Sequence, residues 1–199
     1  MEVRRINIGQ LTGNAGQIEG LPANPRTWTQ TEIDRLAKSL QETPELFEMR
    51  PLLVYEYEGK YVILGGNLRY EGAKKNKAIV ADFKAAAKKY KAFEFTGEEF
   101  AIIIPNKLQD LKREGKALNH CVGCAGYDQK MVKGQSFIAF LRHTDKIKKP
   151  FVTIEFETKS NKIVQIYGYH DSTPPEDVLK FAKAWERRVK KQWTTAQIG

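Results

Sequence analysis

Tyr61-Val62-Ile63-Leu64-Gly65-Gly66-Asn67-Leu68-Arg69-Tyr70 is the stretch on which the fold turns. Apolar residues of high strand propensity run into two glycines, and the residues beyond them suit a helix. Paired glycines let the backbone bend sharply and approach a ligand closely. A helix that starts directly after them aims free N–H groups and a partial positive charge at that spot. Arg69 adds a planar donor fork that matches phosphate. The stretch reads as a strand-to-helix turn suited to an anion. Gly-Gly exits from hairpins also serve as plain structural turns.

Upstream, Val3 to Leu11 alternates weakly and reads as a short strand. Thr29 or Thr31 can cap a helix over 32–42, with Ile33, Leu36, Ala37 and Leu40 on one face and Pro44 as its stop. Residues 51–57 and 61–64 read as a hairpin closed by Glu58-Gly59-Lys60. Downstream, a helix over 68–76 and a closing strand over 78–83 are expected. The lysine- and alanine-rich stretch Lys84 to Lys91 is expected as either a short basic helix or the link between domains. With the boundary placed there, residues 85–91 form a basic linker between a domain of residues 1–84 and a second of residues 92–199.

The order of these segments carries a resemblance. Asn24-Pro25-Arg26, Leu36-Ala37-x-Ser39-Leu40, Pro51-Leu52-Leu53-Val54 and Gly65-Gly66-x-x-Arg69-Tyr70-x-x-Ala73 together resemble the ParB N-terminal (ParB-like nuclease) domain over residues 3–83. Sulfiredoxin shares that fold. The resemblance implies a small α/β domain that holds DNA or a nucleotide phosphate at the G-x-x-R turn. Gly65, Gly66, Asn67, Arg69 and Tyr70 would line the site, with Arg26 as a second contributor. It also implies that a nucleotide with Mg²⁺ is a candidate cofactor, and nucleotidase, NTPase or nuclease chemistry a candidate activity. Asn67 stands where sulfiredoxin has a cysteine, so sulfinic acid reduction is not expected. The Glu-Asn pair and helix-turn-helix that follow in chromosome-partitioning ParB are not visible.

The second half contains Leu118-Asn119-His120-Cys121-Val122-Gly123, the densest chemistry in the chain. A thiol needs a nearby base or positive charge to become a good nucleophile, and His120, His143 and His170 are candidate bases. Cys121-x-x-Cys124 is also half a zinc site or a redox pair, and the plainest alternative is a buried thiol with a structural histidine. No metal set is assigned from these residues. Strands are expected over 100–104, 137–141, 151–156 and 163–169. A helix over 107–113 is expected to be capped by Asn106 and ended by Gly115, and a last helix to start at Pro174-Pro175. Val178, Phe181, Ala182, Trp185 and Val189 give that last helix an apolar stripe. Arg142, Glu155 and Gln165 are polar at strand positions otherwise apolar. They are expected either to converge on one face with His120 and Cys121 or to form a solvated face. Tyr127, Tyr167 and Tyr169 suit either base stacking or sheet packing.

His120-Cys121-Val122-Gly123, Tyr127, Gly134, Phe140-Leu141-Arg142, Pro150-Phe151-x-Thr153-Ile154-Glu155 and Gln165-x-x-Gly168 resemble, in order and spacing, the PcfJ-like proteins of conjugative plasmids and phages over residues 95–190. That resemblance implies a mobile-element setting.

Bulk properties fit this organisation. The 199 residues suit one large or two small domains, and 41% hydrophobic with 29% charged content is ordinary for a globular protein. The net charge of +9 favours a polyanionic partner, nucleic acid or a nucleotide. No apolar run reaches the roughly 20 residues of a membrane span, and the N-terminal residues lack a signal-peptide pattern, so a cytoplasmic location away from membranes is expected. The sequence therefore predicts an α+β protein: a small α/β domain, then an α+β domain with an antiparallel sheet and a C-terminal helix. The expected function is a nucleic-acid-associated protein of a phage, plasmid or other mobile element. Its rivals are an enzyme acting through His120 and Cys121, or a non-catalytic interaction module.

Overall fold

The helix that leaves the Gly65-Gly66 turn does not stop where the sequence suggests. The computed structural model of the protein describes residues 2–43 and 45–198, with side chains to residue 193; Pro44, the expected helix stop, lies outside them. One helix runs from Asn67 to Tyr90. It absorbs the closing strand expected over 78–83 and most of 85–91, in line with the helix rather than the linker alternative for that stretch, the remainder being a 3-10 turn at Lys91–Phe93. A short apolar run such as Ala78–Phe83 does not distinguish strand from buried helix by itself. Alanine and lysine on both sides favour helix, and Phe83, Ala86, Ala87 and Tyr90 are buried at helical spacing. The chain forms two compact units divided between Ile79 and Val80, within that helix.

In the first unit, β1 (Leu11–Gly13) follows a 3-10 turn at Ile8–Gln10, so the strand expected over Val3 to Leu11 overlaps the observed one only at Leu11. Helix α1 (Gln30–Glu42) starts at Thr29, whose side chain accepts from the Glu32 N–H while the Glu32 carboxylate accepts from the Thr29 N–H at 2.8 Å. This reciprocal capping box satisfies two otherwise orphaned donors. The Thr29 N–H also holds the Glu32 carboxyl below its ordinary range. A single turn, α2 (Leu46–Met49), precedes the hairpin of β2 (Leu53–Tyr57) and β3 (Lys60–Gly65). The sheet order is β1-β3-β2, with β1 parallel and β2 antiparallel to β3. Val62 and Ile63 are its buried centre. The long helix, α3 (Asn67–Tyr90), leaves β3 through Gly66 at φ 92°.

The second unit is a five-stranded antiparallel sheet in sequential order: β4 (Phe95–Thr96), β5 (Phe100–Ile103), β6 (Ser136–His143), β7 (Val152–Glu157) and β8 (Lys162–Tyr167). Between β5 and β6 lie α4 (Leu108–Leu118), a 3-10 turn at Cys121–Gly123, and α5 (Tyr127–Val132). Helix α6 (Glu176–Ile198) is the last described element. The expected start and stop of α4 both shift. Asp110 accepts from the N–H groups of Asn106 and Lys107, Gly115 is buried inside the helix, and Asn119 ends it with φ 53°. A short side chain that can bond locally tolerates this left-handed conformation.

Strand pairing sorts the side chains of the sheet. Phe137, Ala139 and Leu141 of β6 share a face with Val152, Ile154 and Phe156 of β7. The α6 stripe covers that face: Val178, Ala182, Trp185 and Val189 are buried, and Trp185 meets Phe137 and Phe156 edge-on. The Trp185 indole N–H donates to the Phe93 carbonyl at 2.7 Å. The other face carries Ser136, Ile138, Phe140 and Arg142 of β6, Thr153 and Glu155 of β7, and Gln165 and Tyr167 of β8. A bulge between Glu155 and Phe156 in the β7–β8 ladder keeps Gln165 opposite Glu155 while Ile163 pairs with Phe156. β6 is buried along nearly its whole length because both faces are covered. The structure is thus α+β, with the expected antiparallel sheet and C-terminal helix.

Candidate functional site

The polar face of the five-stranded sheet is where the chemistry collects. α4 brings the His-Cys turn to it by close backbone approach. A Cβ on Gly115 would lie 2.8 Å from the His120 carbonyl oxygen, and one on Gly123 would lie 2.8 Å from Lys112 Cα. Neither fits against backbone, so both glycines let the turn pack against the helix. Leu118 and Val122 are buried on either side.

His120 is fixed by a chain of polar groups. Arg142 on β6 and Glu114 on α4 form a two-pronged ion pair, with one guanidinium nitrogen 2.9 Å from Oε1 and the other on Oε2. Both side chains are nearly fully buried. Thr153 donates its hydroxyl to Glu114 Oε1 at 3.1 Å. The Thr153 oxygen in turn lies 3.1 Å from His120 Nε2. A carboxylate only accepts, so the threonine proton points to Glu114 and its oxygen takes the proton of His120 Nε2. This network assigns the Nε2–H tautomer and leaves Nδ1 with its lone pair, 3.5 Å from the Val122 N–H. The charge on Arg142 thereby orients His120 through two intermediates.

A cavity of about 300 Å³ opens beside this chain, lined by residues that include His120, Cys121, Tyr127, Glu155, Gln165 and Asp171. Tyr127 donates to Gln165 Oε1 at 2.9 Å and interacts with the Cys121 thiol. Burial, with the nearby Glu155 charge and Cys121, pushes the Tyr127 hydroxyl up to about 12, so it is a neutral donor across the physiological range. Glu155 is buried yet compensated: Ser136 donates to Oε1 at 2.7 Å and Lys130 at 3.0 Å. Lys130 also lies over the Tyr127 ring. Asn119 and His170 meet at 3.0 Å, and Asn119, His170 and Asp171 all hold left-handed φ. Such conformations in non-glycine residues need support from their surroundings.

The structure brings together His120, Cys121, Glu155 and Gln165, as the convergent alternative expects, with Tyr127 between them. Arg142 shares their sheet face but reaches the cavity only through Glu114 and Thr153. Both cysteines are exposed free thiols rather than buried ones. His143 does not belong to the site; its ring packs against Phe100 and Phe151. Among the described residues, no group of three His, Cys, Asp or Glu side chains is arranged to hold a metal ion. Sequence reading missed Glu114. The signal was a charge at a position where α4 otherwise presents Leu111, Gly115 and Leu118 to the interior.

The glycine turn of the first unit is built differently. Asn67 Nδ2 donates to the Ile63 carbonyl at 3.3 Å and the Tyr70 hydroxyl to the Leu11 carbonyl at 2.9 Å. Arg69 Nη1 donates to the carbonyls of Arg50 and Pro51, the latter at 3.2 Å. A Cβ on Gly66 would lie 2.7 Å from Arg69 Nη2. The asparagine, arginine and tyrosine expected to line a phosphate site therefore tie the turn to backbone carbonyls of β1, β3 and residues 50–51. Arg26 is exposed on the loop before α1.

Fold and site together define an antiparallel α+β module with a polar cavity between its sheet and the α4–α5 connection. The model of the PcfJ-like protein family matches residues 69–181, more than half of the chain, and the chain belongs to that family. The match starts at Arg69, earlier than the residue 95 expected from sequence, so it takes in nearly all of α3. A Listeria innocua protein described as uncharacterized protein Lin1253/Lin1744 is 35% identical over 115 residues, covering 58% of this chain and 25% of that protein. The chain thus spans about a quarter of the length of that curated relative. No solved structure matches it. No described helix is long and apolar enough to cross a membrane.

Proposed function

We propose that this PcfJ-like protein is a cysteine-dependent enzyme of a mobile genetic element, with Cys121 as nucleophile and His120 as its base. The observation that carries this is the buried Arg142–Glu114–Thr153–His120 chain, which leaves His120 Nδ1 unprotonated, with only a long 3.5 Å bond from the Val122 N–H, on a residue that lines the same cavity as Cys121. In the segment 118–123 every other side chain or glycine has a packing, capping or orienting task; the Cys121 thiol faces the cavity. In the proposed step the thiol proton passes to His120 as sulfur bonds to an electrophilic carbon of the substrate. The departing group then leaves with that proton. Gln165 accepts from Tyr127 through its oxygen, which keeps its amide N–H groups available to a substrate oxygen. A cavity of this size takes a small polar group. A mild alkylating reagent at neutral pH, followed by peptide mapping, tests the reading: Cys121 should be modified before Cys124, its exposed neighbour. Equal labelling of the two removes it.

A nucleic-acid partner is the second reading, favoured by the net charge of +9 and by Lys84, Lys88 and Lys89, exposed along α3. The C-terminal basic cluster is partly engaged elsewhere, since Arg188 lies over Phe95 and Lys190 pairs with Glu186. The ParB-like reading of the first unit belongs here too: an anion at the N-terminus of α3 would have to draw Arg69 away from the carbonyls it holds. Several phosphate contacts would make DNA affinity fall steeply with salt. A flat salt dependence contradicts this partner.

A further inference from the structure

We propose that Cys121 and Cys124 form a thiol–disulfide exchange site in the turn beside the cavity. The two thiols are the ends of one tight turn: the Cys124 N–H donates to the Cys121 carbonyl at 3.0 Å, as does the Ala125 N–H. Such a closed turn brings its end Cα atoms within about 7 Å, and disulfides span Cα separations of about 4.4–6.8 Å. The Cys124 thiol already lies back over the turn, 3.5 Å from the Cys121 carbonyl oxygen. Both cysteines are exposed and free, and neither has positive φ, so no backbone barrier of that kind stands between the thiol and disulfide forms.

The roles follow from position. Cys121 lines the cavity, and Cys124 is exposed three residues further on, outside that lining. The oxidant is a low-molecular-weight disulfide of the glutathione class. Cys121 thiolate attacks one of its sulfurs, forms a mixed disulfide and releases one thiol. Cys124 thiolate then attacks the Cys121 sulfur, forms the intramolecular disulfide and releases the second thiol. Overall, one small disulfide is reduced to two thiols and the protein loses two hydrogens. In the oxidised form Cys121 has no free thiol to offer a substrate, and a small dithiol restores it. The inference needs only the two thiols and their turn, so it stands or falls apart from the assignment of Cys121 as a catalytic nucleophile.

The test uses the full chain, reduced and then exposed to glutathione disulfide, trapped with iodoacetamide and measured by intact mass and peptide mapping. The expected product lacks two hydrogens, carries no alkyl group and contains a Cys121–Cys124 cross-link that dithiothreitol reverses. Cys124→Ser should stop at one stable glutathione adduct on Cys121. Wild-type chains that retain one or two glutathiones, stay alkylatable at both positions, or cross-link to one another overturn the proposal. Equal alkylation of the two thiols in the reduced protein, together with cross-link formation in the sample exposed to glutathione disulfide, would remove the nucleophile reading and leave this one standing.

Discussion

Two glycine-bearing turns, one in each unit, differ in what their polar side chains are left to do. At Gly65–Tyr70 the asparagine, arginine and tyrosine all reach backbone carbonyls. At Asn119–Gly123 the histidine is oriented by a buried ion pair and the cysteine is left at a cavity. Sequence alone makes both look like sites, because glycines beside polar residues mark tight turns and ligand approaches alike. The difference lies in the fate of each side chain, which depends on distant strands and helices.

The largest expected effect is at the ion pair that supports the second turn. Glu114→Gln leaves the Arg142 guanidinium buried beside a neutral amide, and removing one partner of such a pair typically costs about 3–5 kcal/mol. Denaturant unfolding measures this. A loss near zero would mean that Arg142 reaches water, which would dissolve the chain that orients His120.

Next is the close approach that seats the turn. Gly123→Ala places a methyl group against Lys112 Cα and the Leu111 carbonyl, and forced repacking of this kind costs about 1–3 kcal/mol. The same variant should change the labelling rate of Cys121 more than that of Cys124. Equal changes would show a general loosening rather than displacement of the turn.

Arg69→Ala sharpens the other side of the comparison. Loss of its bonds to the Arg50 and Pro51 carbonyls should lower stability by about 1 kcal/mol. DNA affinity, measured at several salt concentrations, should not change. A drop in affinity with unchanged stability would reverse the contrast and return Arg69 to phosphate binding.

The smallest effect is confined to alkaline pH. The Tyr127 hydroxyl is raised in the folded protein from about 10 to about 12. Its contribution is therefore complete below about pH 10 and is lost as pH rises towards 12. The stability difference between wild type and Tyr127→Phe should shrink across that window. A difference that stays constant contradicts the burial of the hydroxyl.

Much of this architecture was legible in the sequence. A threonine-capped start of α1, left open between Thr29 and Thr31, the hairpin of β2 and β3, the three long strands of the second sheet and the stripe of α6 all follow from local periodicity and propensity. The length of α3 did not, because Ala78–Phe83 fits strand and helix equally and only the burial of Phe83, Ala86, Ala87 and Tyr90 decides between them. The end of α4 was hidden for a similar reason. Gly115 reads as a stop signal, but it is there for the close approach of the His-Cys turn.

The convergence of His120, Cys121, Glu155 and Gln165 was half legible. Alternation placed the polar residues on one sheet face, while the order of strands, the bulge in the β7–β8 ladder and the landing of α4 needed three dimensions. The pairing of Glu114 with Arg142 lay beyond any local pattern, since 28 residues separate them.

The most direct measurement is the ratio of alkylation rates of Cys121 and Cys124 at neutral pH, in the wild type and in His120→Gln. A ratio well above one in the wild type is expected, falling towards one in the variant while Cys124 keeps its rate. A wild-type ratio near one, or a high ratio that His120→Gln leaves unchanged, would contradict a nucleophile served by His120.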